Sequence, residues 1–155
     1  MRLTAFTDYT LRTLMYVGLR SDRLVTIAEI AGAYGISNNH LMKVVQNLAQ
    51  VGDVATLRGQ RGGLRLARPP AQINLGAVVR RSEPDMALAC CFCAEDCCTI
   101  QPACGLIAVL DEALKAFLAV LDRYSLADLL EHPMALAGLL GITVEAPDLV
   151  ADQQA

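Results

Sequence analysis

The sequence predicts a mostly α-helical fold with one small β-hairpin: a winged helix-turn-helix domain followed by a long dimerisation helix. Three features lead to this prediction. Two short helical patterns meet at a glycine, and a hairpin rich in glycine and arginine follows them. A long amphipathic stretch then lies at 105–124.

The first part of the chain carries three helical patterns in succession. Residues 8–19 have apolar side chains at helical spacing, and Thr7 or Asp8 can cap the first turn. The second pattern, 26–34, begins with the Thr-x-x-Glu spacing of a capping box and ends at Gly35. A tight glycine turn between two helices is the helix-turn-helix arrangement, so the third pattern is the expected recognition helix.

The expected recognition helix covers residues 38–50 and ends at Gly52. Its polar face combines amides, an imidazole and a lysine, which suit base edges and phosphates. A plain solvated helix face has the same composition, and the hairpin that follows is what favours DNA binding. The residues expected to contact DNA are Ser37, which also caps the helix, Asn38, Asn39, His40 and Lys43.

The hairpin consists of two short strands, 54–57 and 64–66, joined by a flexible and basic tip. Such a wing can follow the phosphate backbone or enter the minor groove. The alternative is a glycine-rich turn with solvated arginines, but a position directly after a helix-turn-helix favours nucleic-acid binding. The tip residues expected to contact DNA are Arg58, Gln60, Arg61, Gly62 and Gly63.

Charge is distributed unevenly along the chain. Residues 1–70 contain nine basic and four acidic residues, a net charge of +5, whereas 71–155 contain four and twelve, a net charge of −8. A basic front half can bind a polyanion, although this charge pattern alone is also compatible with two ordinary solvated surfaces. No apolar run approaches the roughly 18 residues that span a bilayer, so we expect a cytoplasmic protein with no membrane partner.

The rest of the chain is predicted to connect the winged domain to a second copy. A short helix at 73–81 and a boundary at 82–85 close the winged domain. The apolar stripe of 105–124 is wider than a small winged domain requires, which favours dimerisation over packing within one chain. The predicted division is a DNA-binding domain at 1–82, a cysteine-rich loop at 83–104, the dimerisation helix and a short C-terminal helix at 105–131, and a loosely ordered tail at 132–155.

All six cysteines fall between positions 90 and 104. Thiols this close along the chain suit a shared metal or an iron–sulfur cluster, and in a reducing cytoplasm they favour metal binding over disulfides. A thiol oxidoreductase could use the vicinal pairs, but the sequence has no Cys-x-x-Cys beside a βαβ pattern, no phosphate loop and no catalytic triad. We therefore expect no enzyme activity.

Taken together, these motifs make the chain resemble a known family along nearly its whole length. The matching segments are the opening MRLT…TLR at 1–12, NHLMKVVQ at 39–46, the wing RGQRGGLRLA at 58–67 and CTIQPAC at 98–104. The chain resembles the winged-helix iron–sulfur transcriptional regulators, most of all their nitric-oxide-sensing NsrR repressors and less their IscR cluster-assembly regulators. The wing and the Pro-Ala-Cys motif are specific when they occur in this order.

The resemblance implies a homodimer that binds palindromic promoter DNA and in which each subunit presents three cysteines to an iron–sulfur cluster. Cys104, which follows Pro-Ala and opens the long helix, and Cys98 match two of the three positions. The first ligand matches Cys91, which precedes a phenylalanine, with Cys93 as the alternative. Two cysteines are extra to the pattern and are either small buried hydrophobes or spare thiols: Cys90 and Cys97.

The fourth ligand distinguishes the subgroups. The cluster-assembly regulators use a histidine three residues after the last cysteine, where this chain has Ile107. The nitric-oxide-sensing repressors can use an acid near the amino terminus, contributed by the partner subunit, and Asp8 matches that position. The residues alone favour a helix-start acid paired with Arg12, whereas the resemblance favours the ligand role. A single oxygen ligand and a labile iron favour [4Fe–4S] over [2Fe–2S].

The resulting expectation is a homodimeric repressor that binds double-stranded promoter DNA and is released when nitric oxide damages its cluster. Two alternatives remain open. An iron- or redox-responsive regulator would use loss of the cluster as its signal. A zinc-stabilised DNA-binding protein would use its thiolates only to fold the loop.

Overall fold

The computed structural model describes residues 2–59, 61–92, 98–100 and 103–142. It confirms the predicted fold class, because helices dominate the described residues and the sheet they contain is a two-stranded antiparallel hairpin. The elements are, in order, α1 (Ala5–Leu19), α2 (Ile27–Tyr34), α3 (Asn38–Gln50), β1 (Val54–Leu57), β2 (Gly63–Leu66), α4 (Leu75–Ser82), α5 (Leu106–Leu121), α6 (Leu126–Leu129) and α7 (Pro133–Leu140).

Local capping signals define the helix-turn-helix. The Thr26 side chain accepts a hydrogen bond from the backbone N–H of Glu29, whose carboxylate accepts one from the Thr26 backbone in return, so the predicted capping box is present. Gly35 ends α2 in the left-handed region with φ 65°, a conformation that favours glycine. Ser37 then caps α3, as predicted.

The wing is a short hairpin whose strands pair from Val54 opposite Leu66 to Leu57 opposite Gly63. Val25, which lies between α1 and α2, adds an isolated bridge to the hairpin through two hydrogen bonds with Leu64 of 2.9 and 2.7 Å. These bonds attach the wing to the segment that leads into the helix-turn-helix.

Two apolar clusters hold this body together. One cluster joins α1, α2, α3 and the wing, and the other joins α1, α3, α4 and α6. Leu126 of α6 is completely buried in the second cluster. The segment directly after α5 therefore packs against the winged domain again, through α6.

Two sequence predictions were wrong in detail. The first helix begins at Ala5 rather than at residue 8, and its cap is Thr4 instead of Thr7 or Asp8. A residue distant in the sequence holds Thr4 in the cap position, since the N–H and hydroxyl of Thr4 both donate to Glu83 Oε1, at 2.9 and 3.1 Å.

The described part of the predicted loose tail is also more ordered than expected. Pro133–Leu140 forms α7, with proline at the helix start, where it is tolerated, and Gly141 in the left-handed region at its end. Leu140 and Ile142 pack against the first apolar cluster, which explains why the segment is structured. Among the described helices, none is long and apolar enough to span a membrane.

Candidate nucleic-acid interface and candidate metal centre

Helix α3, the predicted recognition helix, presents a polar face to solvent and an apolar face to the core. Leu41, Val44 and Leu48 are completely buried, and Val45 is nearly so. The Ser37 hydroxyl accepts a hydrogen bond from the His40 N–H at 3.4 Å and so holds the first turn. The predicted DNA-contacting residues are all exposed on or beside this first turn: Ser37, Asn38, Asn39, His40 and Lys43.

The wing places two of its predicted DNA-contacting side chains in solvent. Arg58 and Arg61 are exposed, while Gly62 and Gly63 are half-buried, and Gln60 lies outside the described residues. A side chain at Gly62 would overlap the backbone oxygen of Leu57. The glycine is therefore required for the hairpin to close, whatever contacts it makes to DNA.

The junction between α3 and the wing contains a buried acid that the sequence analysis missed. Asp53 is 1% exposed and forms ion pairs with Arg81 of α4 and with Arg68, whose Nε lies 3.4 Å from the carboxylate. Arg68 also donates to the backbone oxygens of Gly52 and Val51, at 3.0 and 2.9 Å. Burial lowers the pKa of Arg81. Two arginines from distant segments thus compensate one buried carboxylate.

A second ion pair that the sequence analysis missed joins α4 to the end of α5. Both terminal nitrogens of Arg80 donate to the Asp122 carboxylate, at 2.6 and 2.5 Å. The hydrogen bond to Arg80 lowers the pKa of Asp122. Gly76 permits this approach, because a side chain there would overlap the carboxylate. The adjacent arginines in the sequence were the only local signal for these contacts.

Asp8 lies on α1, half-exposed, and forms an ion pair with Arg12 one turn later at 2.9 Å. It borders an open groove of about 520 Å³ whose lining comes from the first two turns of α1 and the segment before it. The neighbouring Tyr9 ring lies beside the His40 ring, with centroids 6.0 Å apart and planes tilted by 34°. The Arg12 guanidinium lies 5.6 Å from the Tyr34 ring centroid. The surroundings of Asp8 therefore contact both helices of the helix-turn-helix.

Two predicted ligands of the cysteine segment are described shortly before α5 in the sequence. Cys98 and Cys104 are half-buried free thiols, and Cys104 lies two residues before the first residue of the helix. Cys91 lies in a short 3-10 turn, Cys90–Phe92, in which the Cys90 thiol is exposed. The alternative first ligand Cys93, together with the extra Cys97, lies outside the described residues.

The single chain does not bring the predicted ligands together within the described residues. No group of three or more histidine, cysteine, aspartate or glutamate side chains converges there as a metal site. The donors nonetheless fit a thiolate-bound cluster, since Cys98 and Cys104 are unpaired and partly accessible. Asp8 lies on α1, at least 90 positions before these thiols in the sequence.

Comparisons with known proteins agree with this architecture. Residues 3–132 match the family model Rrf2, described as an iron-dependent transcriptional regulator. The chain is 49% identical over 142 residues to the HTH-type transcriptional regulator NsrR of Bacillus subtilis, covering 90% of this chain and 97% of that protein. It is 47% identical over 142 residues to NsrR of Geobacillus kaustophilus, with the same coverage.

Solved structures show the same fold. IscR of T. potens superposes with a TM-score of 0.68 at 23% identity, covering 84% of this chain and 87% of that one. The global cysteine regulator CymR of B. subtilis superposes with a TM-score of 0.63 at 22% identity, covering 83% and 95%. At these identities the likeness concerns the fold.

Proposed function

The chain belongs to the Rrf2 family of transcriptional regulators, and on that premise we propose that it is a homodimeric iron–sulfur repressor that nitric oxide releases from palindromic promoter DNA. As in its relatives, its activity is transcriptional regulation rather than catalysis. One observation carries the finer proposal: two free, half-buried thiols precede in the sequence the helix that leaves the DNA-binding domain, Cys104 by two residues and Cys98 by eight. A cluster held there would be in a position to affect that helix.

The proposed DNA contacts use the exposed first turn of α3 and the basic wing. The side chains of Asn38, Asn39 and Lys43 suit base edges and phosphates, while Arg58 and Arg61 suit the backbone or the minor groove. In a two-fold dimer the two recognition helices would read half-sites about 34 Å apart, one turn of DNA. A DNA-bound regulator of this kind would work in the cytoplasm.

The proposed dimer forms through α5. None of the 16 residues of this helix is buried within one chain, although most of them are apolar. Leu106, Val109 and Val120 are 53%, 63% and 45% exposed. An apolar helix face of this size favours association with a second copy, and two-fold symmetry matches a palindromic operator.

The proposed ligands are Cys91, Cys98 and Cys104 of one subunit and Asp8 of its partner, with Cys93 as the alternative first ligand. The bound cluster, which we propose is [4Fe–4S] rather than [2Fe–2S], would supply reactivity towards nitric oxide at the iron held by the weaker carboxylate ligand. Once released, Asp8 has Arg12 one turn away as a ready partner. Tyr9 contacts His40 and Arg12 contacts Tyr34, so a change at Asp8 would reach the helix-turn-helix through its neighbours on α1.

The test is a nitric oxide titration of anaerobically purified protein with parallel measurement of promoter binding and cluster absorption. Loss of DNA affinity together with the cluster spectrum supports the proposal. Unchanged affinity after the spectrum collapses would overturn it. Response to iron chelation but not to nitric oxide would indicate an iron- or redox-responsive regulator, and a colourless, zinc-containing protein would indicate a zinc-stabilised one.

The ligand set is tested by single Cys→Ala variants assayed for cluster content. We expect loss of the cluster at Cys98 and Cys104 and at one of Cys91 and Cys93. The matched controls are the two extra cysteines, Cys90 and Cys97, whose variants should retain it. A cluster that survives the loss of Cys104 would exclude the proposed ligand set.

A further inference from the structure

Two adjacent arginines of α4 bind two different parts of the molecule. Arg80 binds Asp122, directly after α5, and Arg81 binds Asp53, at the junction of the recognition helix and the wing. Consecutive residues of an α-helix point about 100° apart, so one short helix can face both partners. We propose that α4 transmits the position of α5 to the DNA-reading elements, with Arg80 and Asp122 as positioning residues for DNA binding. This inference rests on the proposed function.

The end of α5 is fastened to the start of α4 by more than the ion pair. The Asn74 amide donates to the backbone oxygens of Asp122 and Tyr124, at 2.7 and 3.2 Å. The Leu75 N–H donates to the same Tyr124 oxygen at 3.0 Å, and the Leu126 N–H donates to Ile73 O at 2.8 Å. A displacement of this end of α5 therefore moves the beginning of α4.

The other face of α4 is fixed to the DNA-reading elements. Val78 is completely buried in the cluster that also contains Val44 and Leu48 of the recognition helix. Arg81 reaches the buried Asp53, whose backbone oxygen also accepts the N–H of Ala67, just after the wing, at 2.9 Å. Separating this ion pair would leave a buried carboxylate with one partner fewer, which is strongly unfavourable. A shift of α4 therefore moves the junction with it.

Helix α5 links the proposed cluster site at one end to the contacts with α4 at the other. Cys104 lies at one end of the helix and Asp122 at the other, and a helix of 16 residues is about 24 Å long. The thiol end is the proposed site of the signal, and the Asp122 end carries the contacts to α4. A coupling of about 1–3 kcal/mol, or 5- to 150-fold in affinity, is the usual range for linked sites.

Two variants remove the Arg80–Asp122 contact by different means. Arg80→Gln removes the charge. Gly76→Ala keeps both charges but places a methyl group where the Asp122 carboxylate lies. Alanine is the better helix former, so the substitution does not lower the helix propensity of α4. Lys115→Gln is the matched control, because it breaks an exposed ion pair of 2.7 Å to Asp111 that lies wholly within α5.

The first readout is hydrogen exchange of the full-length protein at the α3–wing junction. The N–H groups of Gly52 and Asp53 donate to Ala49 O and Leu48 O, at 3.2 and 2.9 Å, and do not touch Arg80 or Gly76. We expect exchange there to accelerate about two- to fivefold in both test variants, the range for an exposed ion pair, and to stay unchanged in Lys115→Gln. Wild-type exchange in both test variants would overturn the inference.

The second readout is the ratio of promoter affinities before and after treatment with nitric oxide. We expect this ratio to fall about two- to fivefold in Arg80→Gln and Gly76→Ala, with the cluster spectrum intact before treatment. The ratio cancels any general effect of lost charge on DNA binding. If nitric oxide does not change the promoter affinity of the wild-type protein, the proposed function is refuted. The connection through α4 is then decided by hydrogen exchange alone. If the wild type responds to nitric oxide and both variants show the same affinity ratio as the wild type, the connection through α4 is refuted.

Discussion

The Nε of Arg12 lies 2.9 Å from Oδ2 of Asp8, so the predicted fourth ligand is held in an ion pair within its own helix. Ligation of iron by Asp8 would replace this pair, and loss of the ligand would restore it. Both side chains are 45% exposed, and surface pairs at this spacing contribute only about 0.3–0.5 kcal/mol. Arg12 is therefore a weak competitor for the carboxylate.

Replacing Arg12 by alanine is the first prediction. With the competitor removed, the nitric oxide concentration that releases half of the DNA should rise about twofold, the factor that corresponds to the ion pair. The measurement is the release midpoint in an anaerobic titration, with Lys115→Ala as a control that removes a pair of the same spacing on α5. A midpoint lower than that of the wild type would contradict competition between Arg12 and iron.

The second prediction concerns the wing. Arg61→Ala should weaken DNA binding about equally for all sequences and reduce the slope of log affinity against log salt by about one, because one phosphate contact is lost. The control is Arg123→Ala, which removes an exposed arginine from the segment after α5. Measured over a series of salt concentrations, an unchanged slope for Arg61→Ala would place that side chain away from the phosphates.

The third prediction concerns the apolar face of α5. Val109 is 63% exposed in the single chain, and Val109→Lys should shift the protein towards monomer because a lysine cannot be buried unpaired. Leu139→Lys is the control, since Leu139 is 87% exposed but lies on α7. Sedimentation of the cluster-free protein over a concentration series measures the change. If Leu139→Lys dissociates the protein and Val109→Lys does not, then α7 and not α5 carries the interface.

The sequence predicted the features that depend on neighbouring residues. The capping box of Thr26 and Glu29, the left-handed Gly35 and the cap of Ser37 all act within four residues, so their spacing is visible in the chain. The ion pair of Asp53 and Arg81 could not be predicted in this way. Its partners are 28 positions apart, and only the packing of α4 brings them together.

The same distinction applies to the start of α1, which was predicted wrongly, and to α7, which lies in a segment that was predicted to be loosely ordered. Thr4 caps α1 because Glu83, which is 79 positions away, accepts hydrogen bonds from both its N–H and its hydroxyl. Helix α7 has a clear stop at Gly141, but Leu140 and Ile142 stabilise it by packing against a cluster built from the first half of the chain. Contacts of this range leave no periodic pattern in the sequence.

The fourth prediction concerns acid stability and rests on Glu29. Its carboxylate accepts hydrogen bonds from Arg23 at 2.6 Å and from the Thr26 N–H at 2.7 Å. The bond from Arg23 is the main reason that the pKa of Glu29 is lowered from 4.5 to about 2, although burial opposes the shift. Because the folded-state pKa lies below the unfolded value, the stabilisation is complete above about pH 4.5 and is lost as the pH falls towards 2.

Glu29→Gln should therefore destabilise the protein only where the carboxylate is ionised. At pH 7 we expect the free energy of unfolding to fall by about 1 kcal/mol. This is less than the full shift of the Glu29 pKa implies, because the side chain is partly exposed and the ion pair is screened. The measurement is denaturant unfolding of cluster-free wild type and variant between pH 7 and pH 2, with Glu112→Gln as a control that removes an exposed carboxylate of α5. The difference in the free energy of unfolding between wild type and Glu29→Gln should shrink as the pH falls below 4.5. Protonation then removes from the wild-type carboxylate the charge that the variant lacks. A difference that stays constant down to pH 2 would mean that Glu29 stabilises α2 without its charge.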